Sequence, residues 1–365
     1  MISYNLKHHY RPRKGWMNDP NGLVYFKGEY YIFYQHCPDS EKPFAKQPMH
    51  WGHAKTKDFI NWEELPIALT PNMPYDNNGC WSGTAIVKDD ILYLFYASIT
   101  GDEYSNQTVS IAYSKDGINF EKYEKNPVIG CYPKDATKDF RDPAVFEAYG
   151  KYFCIMATGK DGHGRILLYE SENLLDWSYS GILLEDERPS KIFECPILRQ
   201  YKDKWILACS LITQEEECDF AVYYGDFDGK KFHPQFRSRL ENGPDQYASQ
   251  TFVDNKGRLI EITWLPGWKY SNYGERSLGC LSLPREITVR NGRIYGFPVE
   301  EVQHLLKDSD PIIQMTDSGF KIDRKNGTTV EHKGKIEDIK ILRDEYILEI
   351  FVNKGENIYC LLIEE

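Results

Sequence analysis

Three carboxylates in this chain stand just before a proline, and each opens the same kind of segment. Asp19-Pro20 leads into Leu23-Val24-Tyr25-Phe26, a polar turn at Lys27-Gly28-Glu29, and Tyr30-Tyr31-Ile32-Phe33-Tyr34. Asp142-Pro143 leads into Ala144-Val145-Phe146, a turn at Tyr149-Gly150-Lys151, and Tyr152-Phe153-Cys154-Ile155-Met156. Glu194-Cys195-Pro196 leads into Ile197-Leu198, a turn at Lys202-Asp203-Lys204, and Trp205-Ile206-Leu207-Ala208. One such string alone is ordinary turn chemistry, since Pro fixes φ and Asn and Gly tolerate positive φ. Three acids at the same place in a repeat are different, because equivalent positions of a repeat architecture converge in space.

Convergent carboxylates in an aromatic-rich pocket suit glycoside hydrolysis. That reaction needs one ionised and one protonated carboxyl group on either side of a glycosidic bond. Burial and like-charge repulsion supply the split in acidity. Three carboxylates could instead hold Ca²⁺ or Mg²⁺, but there is no D-x-D-x-D-G loop and no H-x-x-x-H pair on a helix. His50 and His53 flank Trp51-Gly52 on an expected strand and read as framework, not ligands. Ser82-Gly83 is not a G-x-S-x-G elbow, which removes a serine-hydrolase reading. No metal and no cofactor is expected.

The elements that must position these groups are strands. Asp58-Phe59-Ile60-Asn61-Trp62, Asp116-Gly117-Ile118-Asn119-Phe120, Asn173-Leu174-Leu175-Asp176-Trp177 and Asp228-Gly229-Lys230-Lys231-Phe232 are four versions of one turn-then-aromatic string, with aromatics 58, 57 and 55 residues apart. A repeat of that size with about four short strands predicts an all-β, five-bladed β-propeller. Three first strands carry the acids; the others begin at Gly79-Cys80-Trp81-Ser82 and Asp245-Gln246-Tyr247-Ala248-Ser249-Gln250. Inner strands line the channel, so Asp19, Asp142 and Glu194 are expected to face one another, with Ser82 and Gln250. Residues 1–15 read as a basic, irregular lead-in, residues 1–300 as the propeller, and Val299 to Asp310 as a short helix leaving it. Residues 305–365 read as a small C-terminal β module, clearest at Tyr346-Ile347-Leu348-Glu349-Ile350-Phe351-Val352.

At 365 residues with 14% aromatics, 26 of them Tyr, the chain has a strand-forming composition whose rings can stack on sugars. A net charge of −11 with no basic stripe excludes nucleic acid as a partner. Nine scattered cysteines without a C-x-x-C pair read as reduced, packed thiols. No signal peptide is read at Met1-Ile2-Ser3-Tyr4 and no apolar run reaches the ~20 residues that span a bilayer. A cytoplasmic, non-membrane protein is the expectation, with its oligomeric state open.

These strings resemble glycoside hydrolase family 32, the invertases, sucrose-6-phosphate hydrolases and fructan hydrolases. The matching segments are Trp16 to Gly22, Phe140-Arg141-Asp142-Pro143 and Phe193-Glu194-Cys195-Pro196. Met49 to Ala54, Trp81-Ser82-Gly83, Tyr247 to Phe252 and Leu283-Pro284-Arg285-Glu286 support them in the family's order. The resemblance implies a retaining mechanism on a fructofuranosyl unit: Asp19 as nucleophile, Glu194 as acid then base, and Asp142 as transition-state stabiliser beside Arg141. It implies that Asn18, Gln35, Trp81, Ser82 and Trp264 line the fructose pocket, with Tyr247 and Gln250 also on the substrate side. The expected electrostatics are an Asp142 kept ionised by Arg141 and a Glu194 in an apolar setting.

Two departures stand out. Phe44, in the segment after Gln35, is the candidate for an aromatic wall, and the family's C-terminal sandwich is larger than residues 305–365 permit, so Glu349 to Asn353 looks like a remnant of its late strand. The expected substrate is sucrose or a short fructooligosaccharide, with sucrose 6-phosphate as the alternative. Phosphate would need basic groups such as Lys42, Lys46, Lys269 or Arg276, and no cluster stands out. More distant readings are an inverting arabinose or xylose hydrolase and a non-catalytic fructan-binding protein.

Overall fold

The computed structural model describes residues 6–43, 47–186, 188, 190–215, 218–240, 242–270 and 278–363. It is an all-β chain of seven antiparallel sheets in sequence order. Four four-stranded meanders open at Trp16–Phe26, Gly79–Lys88, Phe140–Ala148 and Ile192–Tyr201. A fifth sheet runs from Tyr247–Val253 to Arg293–Pro298 and carries one extra short strand, Cys280–Leu281. The first strands of these five sheets pack one on the next, and the fifth returns to the first.

The recurring turn string explains the 55–58-residue period. It joins the third and fourth strands of each of the first four sheets. Asp58 Oδ1 accepts the backbone N–H groups of Ile60 and Asn61, and Asp116 Oδ1 those of Ile118 and Asn119. Asn173 Oδ1 and Asp228 Oδ1 do the same for Leu175 and Asp176, and for Lys230 and Lys231. One acceptor two and three residues ahead of bare amides is an Asx turn, which only Asp or Asn supplies so compactly. In the fifth sheet the third and fourth strands, Arg285–Arg290 and Arg293–Pro298, are joined by the two-residue turn Asn291-Gly292 instead, which is why the string occurs four times and not five.

The segment leaving the fifth sheet is a single 3₁₀ helix, Glu300–Leu305, shorter than the sequence reading of Val299 to Asp310. Two three-stranded sheets follow, from Gln314–Thr316 to Thr329–Lys333 and from Ile339–Asp344 to Asn357–Leu362. Leu348 and Ile350 enter the core between these last sheets. Phe351 turns the other way, against Phe297 at 6.0 Å and under the Arg285 guanidinium at 5.7 Å. A buried charge network closes the junction. Arg285 donates to Glu349 at 2.7 Å, and His9 sits 2.9 Å from both Asp344 and Glu349 with no exposed side-chain surface on any of the three. Arg324 pairs with Asp245 at the same junction. The irregular lead-in is therefore pinned to the last sheet by ionic groups more than 330 residues away.

Candidate active site

Each first strand is irregular at the residue that matters. The ladder slips between Met17 and Pro20, between Trp81 and Gly83, opposite Asp142-Pro143, between Glu194 and Ile197, and between Tyr247 and Gln250. A bulge kinks a strand and re-aims its side chains. Proline has no N–H to give a ladder, so it belongs at such a point. The acid-before-proline recurrence is thus the sequence trace of three bulges. Asp142 and Cys195 adopt left-handed backbone angles there, φ 59° and 47°.

The three acids meet at one pocket of about 500 Å³, lined by Asn18, Asp19, Gln35, Trp81, Ser82, Arg141, Asp142 and Glu194. Asp19 is buried and accepts from Ser82 Oγ at 2.8 Å on Oδ2 and from Asn18 Nδ2 at 3.1 Å on Oδ1. Asn18 is itself fixed by the Trp16 indole N–H at 2.9 Å, and the Cys195 thiol lies 3.6 Å from Asp19 Oδ2. Burial raises the Asp19 carboxyl above its ordinary range; the Ser82 and Asn18 donors pull it back, and the charge of Glu194 adds to the rise. Asp142 accepts the Cys195 backbone N–H at 2.8 Å. Burial raises its carboxyl too, against the pull of Arg141 and with the push of Glu194.

Here the electrostatics differ from the sequence expectation. Arg141 makes no hydrogen bond to Asp142; its Nε and Nη2 donate to Glu194 Oε1 at 3.2 and 2.9 Å. Tyr247 donates its hydroxyl to Glu194 Oε2 at 2.5 Å. The setting of Glu194 is therefore polar, not apolar, and Asp142, expected to be held ionised, is pushed up by burial as Asp19 is. The reason is strand geometry: neighbouring side chains diverge, so Arg141 reaches the next sheet and not its own neighbour. Gln107 and Asp139 hold its other end, at 3.3 and 2.9 Å.

The remaining expected residues divide. Trp81 stands on the wall, 5.8 Å from the Arg141 guanidinium and 5.1 Å from the ring of Tyr104. Gln35 also lines the pocket, its amide tied to Cys80 O at 3.0 Å. Gln250 lies behind, donating to Cys195 O at 3.4 Å, and Tyr247 reaches the pocket only through its hydrogen bond to Glu194. Trp264 is fully buried and does not reach the pocket; it packs edge-on against Trp16 and Trp268, and Trp268 is the ring on the wall. Sequence reasoning did not single out Trp268, Ile212 or Lys191, which also line the pocket. The Lys191 signal was available, since it stands three residues before Glu194. Phe44, Lys46 and Arg276 lie outside the described residues, and among the described residues no cluster of His, Cys, Asp and Glu could hold a metal.

Carboxylates around an aromatic-walled sugar-sized pocket are the equipment of the glycoside hydrolase class. The chain belongs to glycosyl hydrolases family 32: the model of that family's N-terminal domain matches residues 9–298. It is 35% identical over 332 residues to a sucrose-6-phosphate hydrolase of Zymomonas mobilis, covering 83% of this chain and 63% of that protein. A raffinose invertase of Escherichia coli is 32% identical, covering 88% of this chain and 70% of the other. The chain thus spans less than the full length of the relatives it matches. Among solved structures, a Bombyx mori family 32 β-fructofuranosidase in complex with sucrose superposes with a TM-score of 0.85 at 28% identity, over 99% of this chain and 89% of that one.

Proposed function

We propose that this chain is a retaining β-fructofuranosidase that cleaves the fructosyl bond of sucrose or short fructooligosaccharides through a covalent fructosyl-enzyme ester. In this reading the five sheets are blades of a five-bladed propeller spanning residues 1–300, and residues 305–365 are a reduced C-terminal module. The observation that carries it is the convergence of Asp19, Asp142 and Glu194, from the bulged first strands of the first, third and fourth sheets, on one pocket.

Asp19 attacks the fructosyl carbon as nucleophile, its ionised form supported by the Ser82 and Asn18 donors. Glu194 protonates the departing oxygen and then takes the proton of the attacking water, as microscopic reversibility requires. Tyr247 and Arg141, one on each oxygen, orient it. Asp142 holds fructose hydroxyls, and its raised carboxyl lets it donate as well as accept. The Trp81 and Trp268 rings give the sugar an apolar face to stack on. The free cysteine thiols, eight among the described residues and seven of them buried, support a reducing, cytoplasmic address.

The test is substitution with product stereochemistry. Asp19→Ala and Glu194→Ala abolish sucrose turnover with the melting temperature kept, and Glu194→Ala recovers partly on a fructoside whose leaving group needs no proton. NMR of early product shows retention at the fructose carbon. Near-normal hydrolysis by Asp19→Ala, or inversion, refutes the mechanism. A second reading, hydrolysis of sucrose 6-phosphate, is favoured by Lys191 on the pocket wall, a cation that can meet a phosphate.

A further inference from the structure

A cleft of about 860 Å³ lies away from the three acids. It forms where the fourth and fifth sheets meet the two C-terminal sheets. Arg237 and Arg239 come from the end of the fourth sheet's outer strand, and Arg290 and Arg293 flank the Asn291-Gly292 turn of the fifth. Lys333 and Lys335 come from the sixth sheet and the loop after it, and Lys354 from the last turn of the seventh. In a chain of net charge −11 this is a local reversal of sign.

Several of these cations have acidic partners: Arg237 and Arg239 with Asp219, Arg293 with Glu356, Lys333 with Glu331 and Lys335 with Glu337. Seven cations against these four carboxylates still leave an excess of positive charge. Solvent-screened pairs of this kind hold their partners weakly, so a multiply charged anion displaces them. Two cations, Arg290 and Lys354, have no ion-pair partner among the described residues. Arg290 sits over the Tyr295 ring, its guanidinium carbon 4.1 Å from the ring centre, a contact that occupies none of its N–H donors. His332 is buried in the same wall; its Nδ1 meets the Tyr359 hydroxyl at 2.9 Å, while its Nε2 has no hydrogen-bond partner.

We propose that this cleft binds a small molecule bearing closely spaced phosphates, at a site separate from the sugar pocket. A neutral sugar does not call for convergent guanidinium and ammonium groups, whereas phosphate oxygens accept from several at once. The volume admits a compact oligophosphate, since small-molecule pockets run from about 300 to 1,000 Å³. Because the cations come from the fifth sheet and from both C-terminal sheets, a ligand there ties the two parts of the chain together and stabilises the folded state by mass action.

The experiment is calorimetric titration of the full chain at low ionic strength with inorganic tripolyphosphate, ATP and fructose 1,6-bisphosphate, and with sucrose as the neutral control. Melting temperature is followed in parallel. The expected result is binding of at least one phosphate probe, a melting temperature that rises with its concentration, and unchanged initial rates of sucrose hydrolysis. The spread among probes tells whether the phosphate chain alone suffices or a sugar or nucleoside adds to it. Arg290→Gln with Lys354→Gln removes two exposed, unpaired cations and is expected to weaken binding about tenfold or more, with folding and sucrose hydrolysis unchanged. Absence of binding by all three probes, equal binding by the double variant, or binding that competes with sucrose overturns the proposal.

Discussion

Removing the Ser82 hydroxyl tests the assignment of Asp19 as a nucleophile that must be ionised. Ser82 Oγ donates at 2.8 Å to Asp19 Oδ2, and of the groups that oppose the effect of burial it is the foremost. In Ser82→Ala that oxygen keeps only the weak Cys195 thiol at 3.6 Å. A hydrogen bond to a charged group contributes about 1.5–3 kcal/mol, so the ionised carboxylate loses roughly ten- to 150-fold of support relative to the neutral acid. The sign follows: Asp19 protonates more easily, and the acid limb of the kcat/KM profile moves toward neutral pH. On the acid side, where rate scales with the ionised fraction, the variant falls behind wild type by about that factor. At high pH both carboxylates are ionised, and the gap shrinks to whatever direct contact Ser82 makes with fructose. The assay is initial-rate sucrose hydrolysis across about pH 4 to 8, with Ser82→Thr as a hydroxyl-bearing control whose limb stays in place. A wild-type-to-variant ratio that does not change with pH refutes the reasoning.

Three further outcomes are expected. Burial alone would push His9 down, but its bonds to Asp344 and Glu349 raise it to about 9, while Asp344 and Glu349 are held low, Glu349 at about 2. The His9 contribution, about 3 kcal/mol, is therefore full below pH 6.5 and lost as pH rises through 9, and that of the acids is lost as pH falls below their ordinary range; His9→Gln flattens the alkaline fall in melting temperature, and an unchanged fall counts against the pair. A chain ending near residue 304 loses Phe351 and Glu349, which cover Phe297 and Arg285, and so bares a buried apolar and ionic face; it is expected to be insoluble or markedly destabilised, and an unaltered melting temperature and activity would show otherwise. Comparison of sucrose with its 6-phosphate is expected to give less than a tenfold preference for the phosphate; a ratio of ten or more, about 1.4 kcal/mol, that Lys191→Met removes establishes the second reading instead.

What the sequence made legible was whatever local chemistry enforces. The Asx turn needs Asp or Asn at one position, so it leaves a period, and proline at a bulge leaves a mark beside each acid. Contacts decided by side-chain direction left no such mark. Trp264 and Trp268 are four residues apart and equally aromatic, but Trp264 sits in the ladder opposite Tyr247 and faces inward, while Trp268 follows the strand and reaches the wall. Arg141 and Asp142 are neighbours in the chain and feel each other's charge, but their hydrogen bonds go to different partners. The His9 and Asp344 pairing spans 335 positions, and neither residue's surroundings in the sequence differ from those of any surface His or Asp.

The bulges also explain why the site and the ring of sheets are one construction. A bulge frees backbone groups from their own ladder, and buried groups without partners are costly. Here neighbouring sheets supply the partners. The Gly83 N–H goes to Asn21 of the first sheet at 3.3 Å, the Cys195 N–H to Asp142 of the third at 2.8 Å, and the Ala248 N–H to Ser210 of the fourth at 3.1 Å. Thr84 joins the second sheet to the third, donating to Pro143 O and accepting from Val145 N–H. The Met17 N–H goes to Leu278 O, beside the fifth sheet. Asp142 is thus at once a pocket carboxylate and the acceptor that satisfies the next sheet's bulge, so Asp142→Ala would remove a pocket carboxylate and orphan the Cys195 amide together. Asp142, Cys195 and Ala248 hold left-handed backbones, each at about 1–2 kcal/mol, in the interior of the fold. That strain persists because each distorted strand is held by its neighbour's side chain, and the same distortion turns the acids toward a common centre.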